Sequence, residues 1–360
     1  MFIKTYQNLV LQKFIKNFLK VSGTFFSLVF VINIFEEINF FKDTNESLIL
    51  PLGLTFLNSP SIFFDLLPFI FLITTQFFFL EILDKNELLT FKHSGIKNIS
   101  IVGSLSLISF ILGIFIILIF YNFTSQLKNN YLKIKNSYSE DKKYLAVITE
   151  NGLWIKDKID SKINIINSEK IEGNTLKNVT ITQYDENFNF LKNIYAIEID
   201  VSKNSWVIDN AVVTYEENKK SDQNNLLIQS NFNIDKINSL FENLSSMTIW
   251  ELNSLDEDYK KLGYSVDEIK SHKLRIISLP IYLVIMTILS SILMLNIKYN
   301  KSRVYNLIIG IMLSAIIYYI NYFINLLGSD GNLPVDLSIL FPYFILGMFC
   351  LIGLVRINEK

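Results

Sequence analysis

The chain has 360 residues, half of them apolar and 30 of them Phe, with a formal net charge of −1. That charge balance excludes a broadly basic nucleic-acid binder, and a single cysteine, Cys350, excludes an internal disulfide. A mean hydropathy of +0.33 points instead to membrane-spanning segments.

Three apolar stretches come first, near Phe18–Phe35, Ser61–Leu80 and Ile99–Tyr121. Three more close the chain, near Ile276–Leu295, Val304–Ile324 and Leu333–Val355. Each approaches the ~20 residues a helix needs to cross the hydrocarbon core. Between the two groups lies a polar insert, roughly Asn122 to Arg275, too polar for lipid and too long for a simple loop. The reading divides the chain into residues 1–121 (spans one to three), 122–247 (a strand domain), 248–275 (a helical connector) and 276–360 (spans four to six).

Charge near the span ends sets orientation. Lys4, Lys13, Lys16, Lys20, Lys85, Lys92, Lys97, Lys298, Lys301, Arg303, Arg356 and Lys360 fall on one side. The short loops on the other side, Ile38–Pro60 and Leu326–Asn332, hold only Lys42. Twelve against one places both termini in the cytoplasm and the insert outside. No small-residue cleavage site follows the first apolar run, so that run reads as a span and not a cleaved signal peptide.

The loop between spans two and three, residues 81–98, mixes Leu83, Leu88, Leu89 and Phe91 with charges and ends at Gly95. It reads either as a short amphipathic helix able to dock in a partner's groove or as a solvated turn.

The insert reads mostly as strands. Tyr195, Ile197, Ile199 and Val201 alternate with Ala196, Glu198, Asp200 and Ser202, which predicts a half-buried strand with the first set inward. Val179 and Ile181 alternate with Thr180 and Thr182 in the same way. Tyr144–Thr149, Leu153–Lys156, Ile163–Ile166, Trp206–Ile208, Ala211–Tyr215 and Leu226–Ile228 are further strand candidates. No proline lies between Pro68 and Pro280 to interrupt them. Such a set suggests a sandwich, a jelly roll or an open barrel-like sheet. Thr248-Ile-Trp-Glu251 fits a capping box, followed by Leu252, Leu255, Tyr259 and Leu262 on one helical face and Gly263 as the stop. Ser265-Val-Asp-Glu268 is a second capping box, opening a helix predicted to run unbroken past His272 and Arg275 into span four.

Asn86-Glu-Leu-Leu-Thr-Phe-Lys-His-Ser-Gly95 resembles the E-L-x-x-x-R-x-S-G segment of the LptF/LptG permeases, the membrane subunits of the bacterial lipopolysaccharide exporter. Asn151-Gly-Leu-Trp-Ile-Lys-Asp157 is similar to the G-L-W-x-K-D start of the LptG jellyroll, and Ile249-Trp-Glu-Leu252 and Phe341-Pro342 also look LptG-like. The order of these segments covers essentially the whole chain. The resemblance implies an α-helical polytopic membrane protein with six transmembrane helices and an inserted all-β, jellyroll-like periplasmic domain.

It also implies sites and partners. Glu87, Leu88, Phe91, Lys92 and Gly95 would meet an LptB-like ATPase dimer, with Lys92 where the family often has arginine. An apolar wall would include Phe25, Phe26, Phe30, Ile34, Ile317, Ile320 and Ile324, with Lys42, Lys273 and Arg275 as basic candidates for lipid phosphates. Glu36 and Glu37 would be interfacial, or paired with a partner subunit or divalent ion. Ile197 and Ile199 would line the path of lipopolysaccharide through the strand domain. An LptF-like permease subunit and LptC-like and LptA-like jellyroll proteins complete the partners. No cofactor is implied in this chain; no G-x-x-x-x-G-K-[ST] loop occurs, so ATP and Mg would be bound by the partner. Two other classes fit the residues: a mechanotransmission subunit that carries no lipid, and a membrane-anchored binding or enzymatic domain.

Overall fold

A computed structural model describes residues 5–42, 47–138, 153–159, 161–215, 220–234, 237, 243–262, 265–296 and 303–358. The proposed strand Tyr144–Thr149, the helix stop Gly263 and the basic residues Lys4, Lys298, Lys301 and Lys360 lie outside the described residues. The chain divides into two units: residues 1–131, 244–252 and 266–360, and residues 132–243 and 253–265.

The first unit is helical. Its elements are α1 (Thr5–Phe40), α2 (Ile49–Asp65), α3 (Leu67–Asp84), α4 (Glu87–His93) and α5 (Asn98–Phe115). A π-helical segment (Ile116–Tyr121) joins α5 to α6 (Asn122–Tyr138). After the strand region come α7 (Ile249–Leu262), α8 (Asp267–Ile277), α9 (Leu279–Leu295), α10 (Arg303–Ser329) and α11 (Val335–Asn358); residues 132–138 of α6 and 253–262 of α7 belong to the second unit. Among the described residues, five helical segments are long and apolar enough to cross a membrane, or six if the bent pair α8–α9 is one span. The molecule is therefore a helical membrane protein with a β domain inserted between its helices.

Three local expectations differ. Span two is preceded by α2, where a loop was expected; Pro60 sits inside that helix, and Pro68 opens α3 just after the break at Leu66. The third span does not end at Tyr121, because the π turn passes it on as helix to Tyr138. The helix entering span four is broken: α8 and α9 meet at 51°. Pro280 lacks an N–H and its ring disfavours a straight helix through this point, and Ser278 Oγ donates to the Leu274 carbonyl at 2.6 Å. Of the two capping boxes, the first forms, with Thr248 N donating to Glu251 Oε2 at 2.7 Å and Glu251 N to Thr248 Oγ1 at 3.4 Å. At the second, α8 begins at Asp267, directly after Val266.

Polar links tie the helices together, as expected where lipid gives no hydrophobic drive between them. Ser109 and Thr287 hydroxyls meet at 2.8 Å, Ser290 Oγ donates to the Leu72 carbonyl at 2.9 Å, and Asn321 Nδ2 donates to Tyr282 OH at 3.0 Å. Cys350 is buried, its Sγ 3.7 Å from the Ile285 carbonyl.

Among the described residues the second unit carries an eight-stranded antiparallel sheet: β1 (Leu153–Ile159), β2 (Lys162–Glu172), β3 (Thr175–Tyr184), β4 (Phe190–Asp200), β5 (Ser205–Ile208), β6 (Ala211–Tyr215), β7 (Lys220–Gln223) and β8 (Leu226–Gln229). The order runs β1-β2-β3-β4, where β4 forks: Lys192–Tyr195 pair with β6, and Asp200 pairs with β5. The fork curls the sheet. One row of directly opposed residues, Ile155, Ile166, Ile181, Ile194 and Val213, crosses five strands and is buried throughout. Such β-branched cross-strand neighbours stabilise a sheet face.

The inward face of β4 differs from strict alternation. Ile199 and Val201 are inward, but Tyr195 and Ile197 point out, and Ile194 and Ala196 take the inner positions. The parity changes beside Asn178 on β3, whose φ of +50° lies in the left-handed region. Leu176 and Val179, three apart, are both buried, and so are their partners Ile199 and Ala196.

Candidate functional site

The loop between α3 and α5 is built around α4. Asn86, with φ +56°, makes the left-handed turn out of α3. Gly95, with φ +76°, closes α4; Ile96 N donates to the Phe91 carbonyl and Gly95 N to the Lys92 carbonyl. That is the glycine-terminated helix end the residue was singled out for.

The candidate contact residues separate onto two faces. Phe91 is buried in the helical core and Leu88 packs against it. Glu87 is bridged to Lys13 of α1. Leu89, Thr90, Lys92 and His93 are exposed. A partner meeting α4 from solvent therefore finds Leu89 and Lys92, while Glu87 and Phe91 hold α4 to its own chain.

Beneath α4 lies a charged cluster that sequence reasoning missed. Lys13 Nζ stands 3.7 Å from Glu81 Oε1 as well as bridging Glu87. One turn along α1, Asn17 Nδ2 donates to Glu81 Oε2 at 3.0 Å. Lys85 Nζ donates to Glu81 Oε1 at 2.8 Å; this hydrogen bond and the carboxylate's charge raise the ammonium pKa above its ordinary value. The signal was available: Lys13 and Asn17 stand four apart on a mostly apolar helix, which is rarely without a partner.

A second polar cluster joins α1, α2 and α6. Asn33 Nδ2 lies 3.3 Å from both the Thr55 carbonyl and Ser59 Oγ. Asn58 Nδ2 donates to Asn33 Oδ1 at 3.1 Å, and Lys128 Nζ to Asn58 Oδ1 at 3.0 Å. Glu37 is fully buried and accepts the Tyr131 hydroxyl at 2.8 Å. Glu37 is thus held within the chain, where the expectation was an interfacial position or a pairing with a partner subunit or divalent ion; the Tyr131 donor on α6 makes the burial possible.

The lipid-wall candidates are divided. Phe26 packs edge-on against Phe63, at 5.8 Å between centroids, and Phe25 against Phe69 at 5.4 Å. Phe30, Ile34 and Ile324 are half-buried, and Ile317 is buried in the helical core, off any open face. Exposed apolar side chains here include Leu28, Val31, Ile32 and Phe35 on α1, and Ile316, Tyr319, Ile320 and Phe323 on α10. Of the basic candidates, Lys42 is exposed, Lys273 is half-buried, and Arg275 Nη2 faces Asp65 Oδ1 at 3.9 Å.

In the strand unit, Asp157 of the Gly152–Asp157 segment is fully buried. It accepts Ser230 Oγ at 2.8 Å and Asn231 N at 3.1 Å on one oxygen, and Asn231 Nδ2 at 2.8 Å on the other. It therefore fastens the chain after β8 to β1. Ile199 packs inside, and Ile197, 69% exposed, stands outside with Tyr195 and Trp154.

The family model described as lipopolysaccharide export system permease LptF/LptG matches residues 8–356. No curated protein matches the chain.

Proposed function

The chain belongs to the LptF/LptG family of lipopolysaccharide export permeases, and from that footing we propose that it is an LptG-type subunit of an ATP-driven extractor. Membership makes it a transport component and not a catalytic enzyme. In the proposal it pairs with an LptF-like subunit, is driven by an LptB-like ATPase dimer that binds ATP and Mg, and works in the inner membrane with both termini cytoplasmic. It hands lipopolysaccharide to LptC-like and LptA-like periplasmic proteins.

The observation that carries the proposal is the match over residues 8–356 together with a loop built to present one exposed helix face. Lipid tails leaving the membrane need continuous apolar cover, since each exposed methylene costs about 0.8 kcal/mol. Exposed apolar side chains on α1 and α10 supply such cover on the helical unit. The strand unit offers its interior less readily, because Ile155, Ile166, Ile181, Ile194 and Ile199 are packed shut. That packing supports a bridging role for this unit, with lipid contact on its outer face at Trp154, Tyr195 and Ile197.

The test is purification from native membranes in mild detergent, followed by mass spectrometry of proteins and lipids and by reconstitution. An ATPase, a second permease and lipopolysaccharide should accompany the chain, and ATP should drive lipid release. A chain that purifies without an ATPase and releases no lipid with ATP defeats the proposal.

A further inference from the structure

The helix α1 is fastened by polar side chains at both of its ends and by apolar ones between. Near its start, Lys13 bridges Glu87 and stands by Glu81, and Asn17 holds Glu81. Near its finish, Asn33 holds Thr55 and Ser59 of α2, and Glu37 holds Tyr131 of α6. Val21 and Val29 are the buried residues between. With a rise of 1.5 Å per residue, Lys13 and Asn33 are about 30 Å apart along one uninterrupted helix.

Each attachment has a consequence. Glu87 is the first residue of α4, so any displacement of α4 pulls on Lys13 through a charge-assisted bond. The bond is shielded, both side chains being largely covered, and screening by water is correspondingly reduced. A helix is stiff along its axis, so a pull at Lys13 moves Asn33 and Glu37 together with it. There the chain holds buried polar groups whose partners sit on α2 and α6. A buried polar group that loses its partner is left unsatisfied at a cost, so the far cluster must travel with α1 or change state as a unit.

We propose that α1 is a strut: Lys13 is a positioning residue that ties it to α4, and Asn33 and Glu37 deliver its movement to α2 and α6. The proposal rests on the coupling role given to α4 above and deepens it. It assigns Glu87 a partner inside the chain, and it makes span one the receiver of the loop's movement.

The experiment has two arms, both on the full chain with Cys350→Ser. In the first, nitroxide labels replace the exposed Phe35 of α1 and Phe56 of α2, and their distance distribution is measured in lipid nanodiscs. Lys13→Met and Glu87→Gln should each broaden or shift it, and Lys13→Arg should restore it. An unchanged distribution in both neutral variants overturns the strut, whatever the protein transports. In the second arm, lipopolysaccharide released per ATP is measured in the assembled complex. Lys13→Met and Tyr131→Phe should each lower it about fivefold or more, with ATPase stoichiometry unchanged and Lys13→Arg near wild type. Loss of the ATPase from Lys13→Met would show that Lys13 only builds the docking loop, which also overturns the strut. If the unmutated complex releases no lipid with ATP, the transport reading fails and the distance arm still decides the strut.

Discussion

Gly113 on α5 and Pro280 on α9 bring two helix backbones into contact: a Cβ built on Gly113 would lie 2.8 Å from Pro280 Cα. The contact sits at the bend between α8 and α9 and one turn before the π segment. Gly113→Ala should therefore destabilise the helical unit by about 1–3 kcal/mol through overpacking. Gly103 on the same helix has nothing within 4 Å of its Cβ position, and Gly103→Ala should stabilise by up to about 1 kcal/mol. Thermal unfolding of both variants in detergent reads the sign; a shared sign defeats the argument.

Asp157→Ala removes the acceptor of three hydrogen bonds and leaves the buried Ser230 hydroxyl without this acceptor. The strand unit should lose about 2–4 kcal/mol. Limited proteolysis of the purified chain should then cut after β8 well before wild type, while the helical unit survives. Equal digestion of variant and wild type would show that Asp157 does not hold this segment.

The helical spans were legible because each is an apolar run near the length a membrane requires, and the strands because apolar and polar residues alternate. What escaped was local. The parity of β4 changes beside Asn178, on a neighbouring strand, and no pattern within β4 announces it. The bend before α9 was hidden by helical periodicity running through Ser278, although Pro280 was a signal. The Lys13–Glu87 bond joins residues 74 apart, and only the packing of α1 on α3 and α4 pairs them. Glu87 and Phe91 were singled out as contacts for an ATPase, and the packing gives both of them partners inside the chain.

The orientation is open to direct measurement. A cysteine replacing Asn187, in the β3–β4 turn, should react with an impermeant maleimide once the outer membrane is permeabilised, in the Cys350→Ser background. A cysteine replacing Lys97, exposed in the α4–α5 connection, should react only after the inner membrane is opened. The reverse order would invert the assignment.

For α4, the exposed and buried faces should separate by phenotype. Leu89→Ala and Lys92→Ala, on the exposed face, should each weaken ATPase binding about tenfold, or about 1.4 kcal/mol, with the chain's own unfolding temperature unchanged. Phe91→Ala empties a core position and should lower that temperature by several degrees. Titration of the ATPase onto immobilised chain gives the first quantity and thermal unfolding the second. If Phe91→Ala weakens binding with no loss of stability, the face assignment is wrong.

The strand unit poses the sharpest choice about the lipid path. Ile197 is 69% exposed and Ile199 1%, yet strict alternation would put them on one face. A photo-crosslinker on the outer surface can reach a passing acyl chain only if lipid travels over that surface; one in the packed interior can reach it only if the sheet opens. With the interior closed by the Ile155–Val213 row, a crosslinker at Ile197 should capture lipopolysaccharide in an ATP-dependent way in the working complex, and one at Ile199 should capture little. Glu198, exposed between them but paired with Lys177, serves as the polar control. Capture at Ile199 exceeding that at Ile197 would mean that the unit opens during transport and that the inner face carries the lipid. Equal and low capture at all three positions, in a complex that still exports, would leave the unit a scaffold past which lipid is handed directly to the next protein.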